Sequence, residues 1–317
     1  MPKVFWKDKG QYPFLLELNS MLEAVMLRLL WWACAPLSAK RASALGAKVL
    51  GWLGPRSNKH RHVLANLRMV CPECSDDEVH RLALGVWRNL GGMLAEFPHF
   101  AEITDMQRPD PAIEMVNRNP DPEFLTGKRP YIFVAAHLAN LDLSAFCIQH
   151  LGHPIDVVYN PLTNPRLEAM VQRARGPLHC GFIEKKNALR NMLKRLKQGH
   201  SIGLHVDVRV EDGELFPFFG ADATTTTAPA WLAVKTGYDI VPVRTERTGP
   251  GKFRFTVFPA LTRPPVDMPD AEAIRALTLE MNRVIERLIV EVPDQWLCTK
   301  RRWPKETMIA RGLYRAK

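Results

Sequence analysis

Residues 131–136 (YIFVAA) form a short continuous apolar run, the pattern of a strand buried on both faces. Runs at 155–159, 202–206 and 240–243 repeat it, and 253–258 (FRFTVF) alternates in part, as an outer strand would. Between them lie helical patterns over 143–150, 165–175, 187–198 and 228–236. Strands alternating with helices of about 10–15 residues predict an α/β fold: a largely parallel central sheet flanked by helices. Upstream, Val79, Leu82, Val86, Leu90 and Met93 mark one face of a helix over 76–97, with Asp76 and Asp77 at its start. A stretch rich in Pro, Asp and Asn (108–122) reads as a loop. Near the end, Ile274, Leu277, Met281, Ile285 and Leu288 mark a long helix that Pro293 stops.

The most apolar stretch, residues 21–37, contains Glu23 and Arg28 and ends near Pro36. It falls short of the about 20 apolar residues that a membrane span needs. Two readings stand. The segment lies in a membrane interface, with Trp31 and Trp32 at headgroup depth and Arg28, Lys40, Arg41 and Lys48 near phosphates, or it is a core helix. The opening residues lack the pattern of a secretory signal. This divides the chain into an N-terminal helical membrane-associating segment (1–50) and a catalytic body (51–317).

Charge sharpens the picture. The 317-residue chain carries a net +10, yet residues 1–62 hold +7 and residues 300–317 hold +6, leaving the body at −3. Basic ends favour an anionic surface: phospholipid, nucleic acid or an acidic protein. A composition 46% hydrophobic and 24% charged excludes disorder. Six scattered Cys exclude a disulfide scaffold and suggest a reducing compartment, with the Cys71/Cys74 C-x-x-C read as a chance pair.

The sharpest chemical signal is HLANLD. His137 directly follows a predicted strand, where α/β sheets place their sites, and Asp142 lies five residues on. A carboxylate bonded to one imidazole nitrogen fixes the tautomer and leaves the other nitrogen free to take a proton from a hydroxyl. The pair therefore reads as a general base oriented by Asp142.

Six segments in order carry a resemblance: LGPRSNKHRHVLANLRM, VWRNLGGMLAEFPHF, HLANLD as an H-x4-D/E box, VVYNPLTNPRLEAMVQRARG, VDVRVEDGELFPFFGADATTTTAPAWLAVKTG and MNRVIERLIVEVPDQWLCTKRRW. Over roughly residues 51–303 the chain resembles the late acyltransferases of lipid A biosynthesis, within the lysophospholipid acyltransferase superfamily. The resemblance implies transfer of a fatty acyl group from an acyl carrier protein thioester, or from acyl-CoA, to a hydroxyl of a lipid A precursor. It implies no cofactor, no acyl-enzyme, and a place on the cytoplasmic face of the bacterial inner membrane. His137 and Asp142 would be catalytic. Asn160, Asn164, Arg175, Asp207, Arg209, Thr225 and Thr226 would bind acceptor or oxyanion. Phe218, Phe219 and Trp231 are candidate walls of an acyl groove, with core packing as the alternative.

The chain departs from the family where Arg is usual and Asn160 stands, where Asp-Gln is Asp207-Val208, and where the tail's second Trp is Cys298. Arg209 is the candidate to restore the charge missing at 160. Asp142 is the form usual in glycerolipid enzymes, which keeps a lyso-glycerolipid or lyso-aminolipid acceptor open. A non-catalytic basic protein binding membrane or nucleic acid is the alternative from another class. The acidic body and the lack of a basic-aromatic motif count against it, and no nucleic-acid partner is expected. The remaining histidines have no metal spacing, and no metal is expected. His205, inside a predicted strand, is expected to be a satisfied buried residue. Lys300, Arg301 and Arg302 are expected to be solvated.

Overall fold

The computed structural model describes residues 13–186, 188–211 and 213–315. Asn187, the expected start of one helix, lies outside the described residues, as does the opening of the chain. The N-terminal third is helical: α1 (Pro13–Cys34), α2 (Ala39–Leu53), α3 (His60–Val70), α4 (Asp76–Glu96) and the short α5 (Phe100–Ile103). The remainder alternates: β1 (Ile113–Asn117), β2 (Ile132–Ala135), α6 (Leu143–His150), β3 (Ile155–Tyr159), α7 (Pro165–Ala174), β4 (Gly181–Glu184), α8 (Ala188–Lys197), β5 (Ser201–His205), β6 (Glu214–Phe218), β7 (Ala221–Thr225), α9 (Ala228–Thr236), β8 (Ile240–Gly249) and β9 (Lys252–Val257). Two helices close the chain, α10 (Asp270–Glu291) and α11 (Lys305–Ala310).

The central sheet has the order β1-β9-β8-β2-β5-β3-β4. Every neighbouring pair is parallel except β8 with β9. Strand β2 shows why both faces are covered. Ile132 and Val134 enter a core built with α3, α4, α8, α9 and α10, while Phe133 and Ala135 enter a second core with α5 and α6. A period-2 side-chain alternation with both faces apolar needs helices on both sides. The α/β expectation therefore holds. Strand β9 is not an outer strand, because β1 pairs along it at the edge. β1 lies inside the stretch read as loop; five edge residues flanked by Pro and Asp give too short a run to stand out.

Helix α4 begins with a capping box. Ser75 Oγ accepts from the Glu78 backbone N–H at 3.3 Å, and Glu78 accepts from the Ser75 N–H at 2.8 Å. Asp76 and Asp77 therefore sit in the first turn rather than at the cap. Between α3 and α4, Cys71 and Cys74 are joined by a disulfide, their Cα atoms 5.4 Å apart. The turn brings the pair within bridging range, which corrects its reading as chance.

Helix α2 runs across residue 50 and packs along α4 at close range through Ser43, Gly46, Gly91 and Gly92. Helix α1 has two faces. Trp31 donates to the Leu94 carbonyl at 2.9 Å and stacks on Phe97, so its ring packs on protein. Leu22, Val25, Met26, Leu29 and Trp32 form an exposed stripe on the other side, with Met26 70% and Trp32 77% exposed. Among the described residues, no helix is long and apolar enough to cross a membrane.

A Cβ at position 46 would sit inside the van der Waals surface of the Gly91 carbonyl oxygen. Gly46→Ala should therefore destabilise the protein by about 1–3 kcal/mol through forced separation of α2 and α4, read as a lower denaturant midpoint at unchanged slope.

Candidate active site

His137 is carried two residues past the end of β2, and Asp207 two residues past the end of β5. These strands are parallel neighbours with Ala135 opposite His205. Continued for two residues, the same register sets His137 opposite Asp207. Their side chains meet there: His137 Nδ1 lies 2.7 Å from Asp207 Oδ1. The other carboxylate oxygen accepts from Trp296 Nε1 at 2.6 Å. Asp207 is 2% exposed and Trp296 2% exposed, so the carboxylate is held by donors in a dry setting.

The electrostatics follow. Burial opposes charge on His137, but attraction to Asp207 and the hydrogen bond between them outweigh it, with Lys300 opposing and Asp142 assisting. The net result is a raised imidazole pKa. Burial likewise opposes the Asp207 carboxylate, and His137, Trp296 and the His137 backbone N–H together hold it well below its ordinary range. His205 stands beside His137 with ring centroids 4.7 Å apart. Burial, then the neighbouring His137, pushes its pKa down to about 3. Its Nε2 is buried without a hydrogen-bond partner among the described residues, so the expectation of a satisfied core histidine is corrected.

Among the described residues Asp142 forms no hydrogen bond with His137. Its two oxygens accept from Arg175 Nε at 3.2 Å and a terminal Arg175 nitrogen at 2.9 Å. The reason lies in the turn. Ala139 adopts a left-handed φ of 47°, and Asp142 enters the first turn of α6 facing the C-terminal end of α7. The carboxylate in contact with the His137 ring is thus Asp207, where Asp142 was expected. Arg175 in turn packs its guanidinium over Phe182 at 5.0 Å. Asp207 and Arg175 are therefore engaged with the two motif residues.

The other expected binding residues separate into two groups. Asn160 and Arg209 are exposed, with no polar partner among the described residues. Asn164 is 5% exposed and caps α7 while accepting from Ser20 Oγ at 2.8 Å, so it fastens α7 to α1. Thr225 is fully buried and accepts from Arg302 at 2.8 Å. Thr226 accepts from the Ala228 N–H at 3.2 Å at the start of α9. Those three side chains are spent on structure. Arg302 is itself 2% exposed, which corrects its expected solvation. Burial lowers its pKa to about 10, with Asp207 opposing.

Phe218 is fully buried between Phe219 and Trp303, and with Trp231 it belongs to the core on the α9–α10 side. Core packing is thus their observed state. A cavity of about 20 Å³ lies instead on the α6 side beneath Asp142 and His205, lined also by Phe133, Ile148 and Val157. Trp296 was missed by sequence reasoning. Its only signal was its place in the C-terminal Trp-rich tail, which returns to the site when the Leu297 N–H donates to the His137 carbonyl at 2.8 Å.

Chemically, an imidazole that faces a buried carboxylate through Nδ1 presents Nε2 as a proton acceptor. Comparison with known proteins gives the chain a family. The family model described as bacterial lipid A biosynthesis acyltransferase covers residues 15–305. The chain belongs to that family. Among its relatives, the lipid A biosynthesis lauroyltransferase of Escherichia coli K12 is 28% identical over 262 residues, 80% of this chain and 82% of that one. The lipid A biosynthesis palmitoleoyltransferase of the same organism is 24% identical over 81% of this chain and 83% of its own length. A 1-acyl-sn-glycerophosphate acyltransferase structure from Thermotoga maritima covers 87% of this chain and 99% of its own at 16% identity and a TM-score of 0.38, an overlap that carries no argument. The protein is thus an acyltransferase, and the reading as a non-catalytic basic protein falls.

For this acyltransferase the pairing makes a pH prediction. A base must be neutral, so with His137 as the base kcat/KM should rise with pH through its pKa, which Asp207 holds up. Asp207→Asn removes that support. The rising limb should move to lower pH, while the plateau rate falls ~10²–10⁴-fold. Asp142→Asn should leave the limb within a few tenths of a unit. A pH–rate profile of both variants checks this.

Proposed function

We propose that this acyltransferase moves a fatty acyl group from an acyl carrier protein thioester to a hydroxyl of a lipid A precursor. Nε2 of His137 takes the proton from the acceptor hydroxyl. The oxygen attacks the thioester carbonyl carbon, the C–S bond breaks as the tetrahedral intermediate collapses, and the leaving thiolate recovers the proton from His137. No acyl-enzyme forms. Asp207 holds the ring and offsets the charge it gains. Asn160 and Arg209, exposed and without a polar partner among the described residues, are available to contact the substrate's polar groups. The observation that carries the reading is the His137–Asp207 contact at the carboxyl ends of two parallel strands, in a chain of this family.

The setting supports it. The basic ends suit both an acidic carrier protein and anionic headgroups. The exposed stripe on α1, with Trp52 of α2 62% exposed, suits a protein lying on a bilayer. Placement on the cytoplasmic face of the inner membrane, where acyl carrier protein is reached, belongs to the same proposal. Acyl-CoA is the alternative donor. Asn160 and Asp142 favour one second reading, the same chemistry on a lyso-glycerolipid or lyso-aminolipid.

Mass spectrometry of membrane lipids with and without the protein should show one acyl group added to lipid A. Purified protein offered acyl carrier protein thioester and a panel of acceptors should turn over the lipid A precursor. Turnover confined to lyso-phospholipid would assign the second reading, and His137→Ala should lower either rate ~10²–10⁴-fold. For the surface, Met26→Glu/Trp32→Glu should reduce co-sedimentation with anionic vesicles at least about tenfold while the fold persists; unchanged sedimentation rejects the α1 stripe as the contact.

A further inference from the structure

The loop between His137 and Asp142 is held in a conformation it would not choose. Ala139 has φ 47°, a region that residues with a Cβ enter only when their surroundings over-determine it. What over-determines it is a buried polar network behind the site. Glu96, at the end of α4, is fully buried. It accepts from Ser43 Oγ at 2.6 Å, from Asn140 Nδ2 at 2.9 Å and from both terminal nitrogens of Arg247, one of them at 3.2 Å. Arg247 Nε donates to Asn89 Oδ1 at 3.0 Å. The Asn89 amide passes the constraint on, donating to the Ala139 carbonyl at 3.2 Å and the Gln295 carbonyl at 2.9 Å. Gln295 is locked to the Arg247 backbone by two bonds of 2.6 and 3.0 Å and accepts from the Ala139 N–H at 3.2 Å.

Three bonds of this set end on Ala139 or Asn140, the residues two and three beyond His137: Asn140 to Glu96, Asn89 to the Ala139 carbonyl, and the Ala139 N–H to the Gln295 carbonyl. None ends on His137 itself or on Asp207. We propose that the Glu96–Arg247 ion pair is a positioning device: through Asn89, Asn140 and Gln295 it sets the turn that aims His137 at Asp207 and its open nitrogen at substrate. An apolar pair of similar volume would hold α4 against β8 equally well, since buried ion pairs are often replaced by apolar groups without loss of stability. A forked guanidinium on a carboxylate also fixes direction, which an apolar contact does not. The network is reachable from solvent. A cleft of about 340 Å³ between α2, α4 and the β8–β9 turn is lined by Ser43, Asn89, Arg247 and Gln295.

The inference rests on the proposed acyl transfer for its kinetic test, and a second readout frees it from that reading. Wild type is compared with Glu96→Leu/Arg247→Met, which removes both charges together, and with Arg247→Lys and Arg247→Ala. For the paired variant we expect kcat reduced ~10–100-fold with KM for donor and acceptor within about twofold, because the binding surfaces are untouched and the base is misplaced. Arg247→Lys should recover only part of the loss. For Arg247→Ala, millimolar methylguanidinium entering the cleft should raise kcat at least about fivefold, and methylammonium should do less.

Without any turnover, the His137 ring can be titrated by NMR. In the paired variant its pKa should fall by about half a unit or more, as contact with Asp207 is lost while His205, Asp142 and Lys300 remain nearby. If Arg247→Ala does not fold, the paired variant and Arg247→Lys carry the test. A folded paired variant with wild-type kcat and an unshifted His137 titration would overturn the proposal, as would a kcat loss that merely tracks the unfolded fraction. Absent turnover in wild type with a shifted titration in the variant would instead fault the functional reading alone.

Discussion

The site depends on the register between two neighbouring parallel strands. Because Ala135 pairs with His205, the two chains emerge from the sheet in step, and two residues later an imidazole faces a carboxylate. A slip of one residue would set Val206 or Val208 opposite His137 and turn Asp207 to the other face. The bond is maintained in a dry place because each partner answers the other's charge. A buried Asp207 alone would protonate or pull in water. His205 contributes by staying neutral: with its pKa pushed to about 3, it sets no positive charge beside His137.

The chain encloses this pair with its last residues as much as with the sheet. Trp296 ties Asp207 to the segment after α10, and Leu297 ties that segment to the His137 backbone. A few residues on, Arg302 is buried over the Phe218 ring and donates to the Thr224 carbonyl and Thr225 hydroxyl. Trp303 donates to the Phe218 carbonyl at 2.9 Å. A basic tail that looks made for solvent is in part a structural plug, and the hairpin of β6 and β7 is what it plugs into.

The N-terminal helices join the two demands of lipid chemistry. On one side α1 is fastened to α7 through Asn164 and to α4 through Trp31; on the other it offers a stripe of Leu, Val, Met and Trp to the outside. α2 continues that surface and meets α4 through facing glycines, close enough that Ser43 reaches the Glu96 carboxylate. The same helix pair therefore meets the exterior on one face and the polar support of the catalytic turn on the other.

Periodicity alone determined the α/β class, the strands β2, β3, β5 and β8 within a residue or two at their starts, and the helices α4 and α10, because long or fully apolar segments leave a pattern that survives without neighbours. It also marked His137, since a histidine directly after a buried strand stands at the carboxyl edge of a sheet. What it could not determine was which residues meet. Asp142 was nearest in sequence and Asp207 seventy positions away. Sequence proximity misled because Ala139 turns the loop and carries Asp142 to Arg175. The edge strand β1, the bridge between Cys71 and Cys74, the burial of Arg302 and the pairing of Glu96 with Arg247 were equally silent. Apart from that bridge, which a local turn closes, each is a contact between segments whose separate patterns say only apolar, charged or turn. Partner choice is decided by strand register and helix approach, and those exist only once the whole chain has packed.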